Sequence, residues 1–187
     1  LTLVVFKSRL PPERRAKLGN PTTVQEFFGH GAFLALVDIA QAAMMCTGNV
    51  FYLGIQCVSI PLYYLTGIVS GFVFFLLVYS LVFALSNLGR GVAVILLVSQ
   101  VASTGGELPI QLSGPIVQAI CPWLPFTYSM RMFQDAVAGT YGNQYVISLL
   151  CLLAFIIPAL IMGLVLQKPF RKLINYIDTQ LHEADVL

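Results

Sequence analysis

Four charged side chains stand in apolar surroundings: Asp38, Glu107, Arg131 and Asp135. A charge held in hydrocarbon costs about 2.5–3.5 kcal/mol on insertion scales, so its presence points to an ion or substrate path by default. Asp38 is a candidate transport-path residue. The alternative is a polar helix-bundle interior in which Gln41 or another helix hydrogen-bonds it. Glu107, Arg131 and Asp135 are candidates for a gate or salt-bridge cluster, with plain anchoring of interfacial helices as the alternative. Arg131 and Asp135 are spaced i, i+4 and can pair on one helix face.

Other chemistries find no support. Cys46, Cys57, Cys121 and Cys151 lack metal-ligand spacing, and His30 and His182 have no partner cluster for zinc. No nucleophile–base arrangement and no Gly-x-x-x-x-Gly-Lys-Ser/Thr phosphate loop is visible. No active site, metal or cofactor is expected, and nothing suggests nucleic-acid binding.

The elements that position these residues follow from composition. Of the 187 residues, 58% are hydrophobic and 10% charged, against about 25% charged in a soluble domain. No charge occurs between Asp38 and Arg90, a run of 51 positions. As one helix it would reach about 75 Å, more than twice the roughly 30 Å of bilayer hydrocarbon, so it must fold back. A second uncharged run, Ala136 to Gln167, is also long enough to cross. The expected fold is an all-α, polytopic membrane bundle in contact with lipid.

Spans are predicted over residues 23–52, 61–85, 91–103 and 145–166. Thr23 with Glu26 three residues on reads as a capping box at the start of the first. Pro61 suits a helix start, and Pro158 should kink the last span. Residues 1–6 read as the end of a span whose start is missing, and 7–22 as a cytoplasmic loop. Gly67 and Gly71 form a small-x-x-x-small pair, for which close helix packing is the simplest role.

Nine of the ten Lys and Arg residues fall on one face when the helices alternate: Lys7, Arg9, Arg14, Arg15, Lys17, Arg90, Lys168, Arg171 and Lys172. The positive-inside rule makes that face cytoplasmic and places the C-terminus there, in a plasma-membrane protein. Phe170, Leu173, Ile174, Ile177 and Leu181 follow helical spacing, so 168–187 reads as an amphipathic surface helix or a docking helix for a partner.

The opposite face holds 104–144, apolar yet broken by Pro109, Pro115, Pro122 and Pro125. A partly inserted, broken helical hairpin fits it best. Trp123, Tyr128 and Tyr141 suit an interfacial belt. Cys57 and Cys121 share this face, so a disulfide is open to them, alongside free thiols.

Within this region the motifs become specific. Asn87-Leu88-Gly89-Arg90 leads into an apolar run, Gly105-Gly106-Glu107-Leu108-Pro109 follows, and then Pro122-Trp123-Leu124-Pro125-Phe126-Thr127-Tyr128. This order resembles the C-terminal membrane domain of the YhgE/Pip (phage infection protein) family, related to type-2 ABC exporter permeases and to the EsaA component of type VII secretion. The resemblance implies a turn motif at Asn87, Gly89 and Arg90, and an outer hairpin motif at Gly105, Gly106, Pro109, Pro122, Pro125, Thr127 and Tyr128. It also implies a missing extracytoplasmic domain, a homodimer, and a separate ATPase subunit or secretion-complex partners. The expected function is a permease-like domain of an exporter or secretion complex moving an envelope-associated substrate outward. The alternative is a non-transporting anchor or scaffold for the missing domain, phage-receptor-like or accessory to secretion.

Overall fold

The computed structural model describes residues 22–103, 123–140 and 142–164. Among them are five helices and no strand: α1 (Thr23–Phe51), α2 (Ile60–Ser103), α3 (Pro125–Ala138), α4 (Gln144–Ala154) and α5 (Ile156–Leu164). Phe27–Phe51, Ile60–Leu85 and the α4–α5 stretch Gln144–Leu164 are each long and apolar enough to cross a membrane, while Gly89–Gln100 is a shorter apolar helix. The chain is a helical membrane protein.

Helix α1 begins one residue earlier in its capping than the sequence suggests. Thr22, not Thr23, is the N-cap, and its backbone N–H donates to Gln25 Oε1 at 3.0 Å. Both threonines are followed at the third position by a residue able to close the box, so spacing alone could not choose between them.

Helix α2 runs for 44 residues but doubles back within them. A Cβ built on Gly89 would stand 2.8 Å from the Val82 Cα and 2.9 Å from the Leu81 carbonyl carbon. Residues seven apart on a straight helix are separated by about 10 Å, so the path reverses between them. Gly89 is the residue that permits this approach, because any side chain there would meet backbone. The result is a first arm (60–85) and a second arm (89–103) joined by a tight turn.

The first arm is the hub. At one end of the bundle it packs Phe75, Tyr79 and Phe83 against Phe27 and Leu34 of α1 and Ala159 of α5. Midway, Val73 packs with Met132, Tyr145 and Leu152. Toward the other end, Tyr63 packs with Cys46 and Ala136. The first of these ends carries Thr22, the α2 reversal and Leu164. We call it the turn end; the connection 52–59 marks the loop end.

Helix α3 lies antiparallel to the first arm. Its Phe126 ring is 5.9 Å from Phe74, its Phe133 ring is 5.2 Å from Tyr63, and Val58 and Ser59 donate to the Val137 and Ala136 carbonyls at 3.3 and 3.2 Å. Its 14 residues reach only about 21 Å, and they end at Gly139, whose φ of 104° suits glycine. The helix therefore inserts from the loop end to the depth of Phe74 and goes no further.

The last crossing is two helices in place of one kinked helix. The break is at Phe155, whose N–H bonds to the Leu152 carbonyl at 3.2 Å. Pro158 lacks an N–H and its ring crowds the carbonyl four residues before it, which displaces the break upstream of the proline.

Candidate membrane pathway and lateral cleft

Asp38 sits half-buried on α1. Its Oδ2 is buried without a hydrogen-bond partner and lies 3.2 Å from where a Cβ on Gly71 would stand, as does the Ala42 Cβ. The carboxylate thus points at the small-residue seam between α1 and the first arm. Gln41 lies on the exposed face of α1 and does not satisfy Oδ2. Gly67 opens the same seam one turn away, where an added Cβ would collide with Cys46 Sγ.

From this depth a line of polar groups follows the first arm toward the loop end. Ser129 donates to Ser70 Oγ at 2.7 Å, fully buried between α3 and the arm. Thr66 donates to the Leu62 carbonyl at 2.8 Å and is 3.0 Å from the Tyr145 hydroxyl. Asn49 Nδ2 donates to the Tyr63 hydroxyl at 3.0 Å. Tyr63, Thr66 and Ser70 are spaced i, i+3, i+7, so one stripe of the arm reaches α1, α4 and α3 in turn. The line ends at a cavity of about 460 Å³ beside Asn49, Tyr63 and Gln134.

The candidate gate is arranged differently from its sequence reading. No Arg131–Asp135 ion pair forms among the described residues: Arg131 is exposed, while Asp135 Oδ2 is buried without a hydrogen-bond partner. Spacing puts the two near one helix face, but Arg131 points to the surface while the Asp135 Oδ2 is buried. Glu107, Gly105, Gly106, Pro109 and Pro122 lie outside the described residues, as does Cys121. Cys46, Cys57 and Cys151 are free thiols. No cluster of His, Cys, Asp or Glu among the described residues could hold a metal.

The motif residues have structural positions. Gly89 forms the reversal and Arg90 is half-buried beside it; nothing is described of the Asn87 side chain. Pro125 occupies the start of α3, and with Thr127 it is buried. The Tyr128 ring lies 6.2 Å from Phe155. Trp123 is 81% exposed. It borders a second cavity of about 290 Å³ together with Phe74, Leu81, Ala93, Leu97 and Gln100. Phe74 is about 21 Å along the arm from Ile60, so this cavity begins about halfway along the arm. This cleft separates the two arms of α2 near α5.

Sequence reasoning singled out Asp38 but not the stripe of Tyr63, Thr66 and Ser70. Its signal was present, three hydroxyl residues at helical spacing inside an uncharged run.

No protein-family model matches the chain, and no solved structure matches it. A curated protein of Bacillus subtilis (strain 168), described as the uncharacterized protein YhgE, is 30% identical over 120 residues, 64% of this chain. The matched region is 16% of that protein's length, so the chain corresponds to a small part of it. The chain is thus similar to YhgE over part of its length, and it carries the Asn-x-Gly-Arg and Pro-x-x-Pro-x-Thr-Tyr motifs at residues 87–90 and 122–128.

Proposed function

We propose that the chain is a permease-like membrane domain of an exporter or secretion complex, moving an envelope-associated substrate outward. The observation that carries this reading is the unpartnered Asp38 Oδ2 at the inner end of the polar line along the first arm. An unsatisfied carboxylate at that depth is costly, and the packing around it supplies no compensation. A residue kept for structure alone would be served better by an apolar or amide side chain.

The positive-inside rule orients the domain. Thr22 and Leu164 lead into the two terminal basic segments, and both lie at the turn end with Arg90. That end is cytoplasmic in this reading, and the Asn49–Gln134 cavity opens outward. Homodimer formation and a separate ATPase subunit complete the reading, since the sequence carries no phosphate loop. Insertion of α3 to mid-depth supports it, by allowing a substrate to leave through a short polar path instead of a full-length crossing.

A scaffold reading is favoured by the buried hydroxyl contacts, Ser70–Ser129 and Thr66–Tyr145, which hold helices together without any path. Asp38→Asn separates the two. In a deletion strain, wild-type protein restores the envelope and secreted profile, and the transport reading expects Asp38→Asn to fail although it is made and inserted normally. Full complementation by Asp38→Asn sinks that reading in favour of the scaffold. Orientation is checked by a cysteine introduced at Ser8, which should react with an impermeant thiol reagent only after cell lysis.

A further inference from the structure

The cleft between the two arms of α2 takes no part in the polar line. We propose that it binds one acyl chain of a bilayer phospholipid, held between the second arm and the rest of the bundle. The inference rests on the membrane placement of the helices and not on the export reading, so it stands or falls separately from Asp38.

Three observations carry it. The first is depth. The cleft runs from Phe74 at its upper end to Leu81 and Ala93 at its floor; Phe74 and Leu81 belong to an arm long and apolar enough to cross the bilayer, and Ala93 to the shorter apolar arm beside it. The second is dryness. A stable buried water needs two to four polar partners, and among the described residues the cleft wall offers only the Gln100 amide and, at its rim, the Trp123 indole.

The third is what surrounds it. Between Gly91 and Ser99 only Ala93 is buried, while Val94, Ile95 and Val98 are 61%, 67% and 60% exposed. In a membrane that outer surface is solvated by lipid hydrocarbon. The same hydrocarbon reaches the cleft through its rim, where Leu97 is 56% and Trp123 is 81% exposed. A slot between two antiparallel helical arms admits an unbranched flexible chain. Filling it restores the dispersion contacts that an empty gap forfeits on both walls.

The test reconstitutes the protein into vesicles of phosphatidylcholine carrying a photoactivatable diazirine at mid-chain. After irradiation, the attachment sites are mapped by peptide mass spectrometry. Labelling at Leu97, Trp123 and the cleft wall should exceed severalfold that at Leu36 and Met44, which are exposed on α1. Ala93→Phe, which fills the floor, should reduce cleft labelling to the α1 level. Leu97→Phe does the same from an exposed position, so it decides the matter even where the buried substitution fails to fold. Labelling equal to that of Leu36 and Met44 overturns the proposal, as does enrichment that survives both substitutions. Protection of the cleft below the α1 level also overturns it, since another part of this chain would then fill the slot.

Discussion

The two arms of α2 are both apolar and separated only by the turn around Asn87 to Arg90, yet they occupy opposite environments. Over half of the first arm's most apolar window is buried, 56%, and it touches every other described helix. The second arm buries one residue, Ala93, between Gly91 and Ser99. Apolarity therefore does not decide which helix becomes the hub, because lipid is as favourable to Leu and Val as another helix is. Small and hydroxyl residues decide it. The first arm has Gly67 and Gly71 for close approach, and Tyr63, Thr66 and Ser70 for contacts across helices. The second arm carries Ser99, which donates to its own Ile95 carbonyl at 2.8 Å and so reaches no neighbour.

This contrast is broken most sharply by truncating the hub. Tyr79 is fully buried, stacked 5.4 Å from Phe75, and donates to the Phe27 carbonyl at 2.9 Å. Tyr79→Ala should lower stability by about 3 kcal/mol or more. Val94→Ala on the second arm should lie within about 0.5 kcal/mol of wild type. Both are read as unfolding midpoints in detergent. Equal losses at the two positions would mean that the second arm is packed as tightly as the first.

The next largest effect is expected at the junction. Gly89→Ala puts a methyl group against the Leu81–Val82 backbone, which cannot swing aside as a flexible side chain could. Overpacking of this kind costs about 1–3 kcal/mol, and here it also spreads the two arms. Gly91, with nothing within 4 Å of its added Cβ, is the control. Gly91→Ala should be neutral in the same unfolding assay.

These residues also show what could be read before any coordinates. The apolar runs and their length required helices in a membrane, the Gly67–Gly71 pair was visible as spacing, and the Asn87–Arg90 turn was implied by the family resemblance. Local rules went wrong where two answers satisfied them or where tertiary contact intervened. Thr22–Gln25 and Thr23–Glu26 both obey the capping pattern. The i, i+4 relation of Arg131 and Asp135 is correct, but it considers one helix alone, and in the packed bundle Arg131 is exposed while Asp135 Oδ2 is buried. Trp123 suggested an interface by residue type, while its place beside the cleft between the arms follows from where α3 packs. Depth is a property of the packed bundle, and no single segment encodes it.

The smallest effect tests whether hydroxyl contacts really distinguish the arms. Ser70 and Ser129 are both buried, 2.7 Å apart, and they join the hub to the inserted helix α3. In hydrocarbon such a bond is expected to be strong, but measured couplings between membrane helices average only about 0.6 kcal/mol, because separated helices find other partners. Ser70→Ala and Ser129→Ala should therefore each cost about that much, and the double substitution no more than the larger single one, since either change removes the same bond. A double-mutant cycle in detergent reads the coupling directly. A coupling near zero would assign the hub's advantage to Gly67 and Gly71 alone. A coupling well above about 1.7 kcal/mol, the upper end seen for such pairs, would mean that the serine pair anchors α3 by itself. The intermediate value keeps both: the glycines set how closely α1 approaches the first arm, and the hydroxyls set the depth at which α3 comes to rest against it.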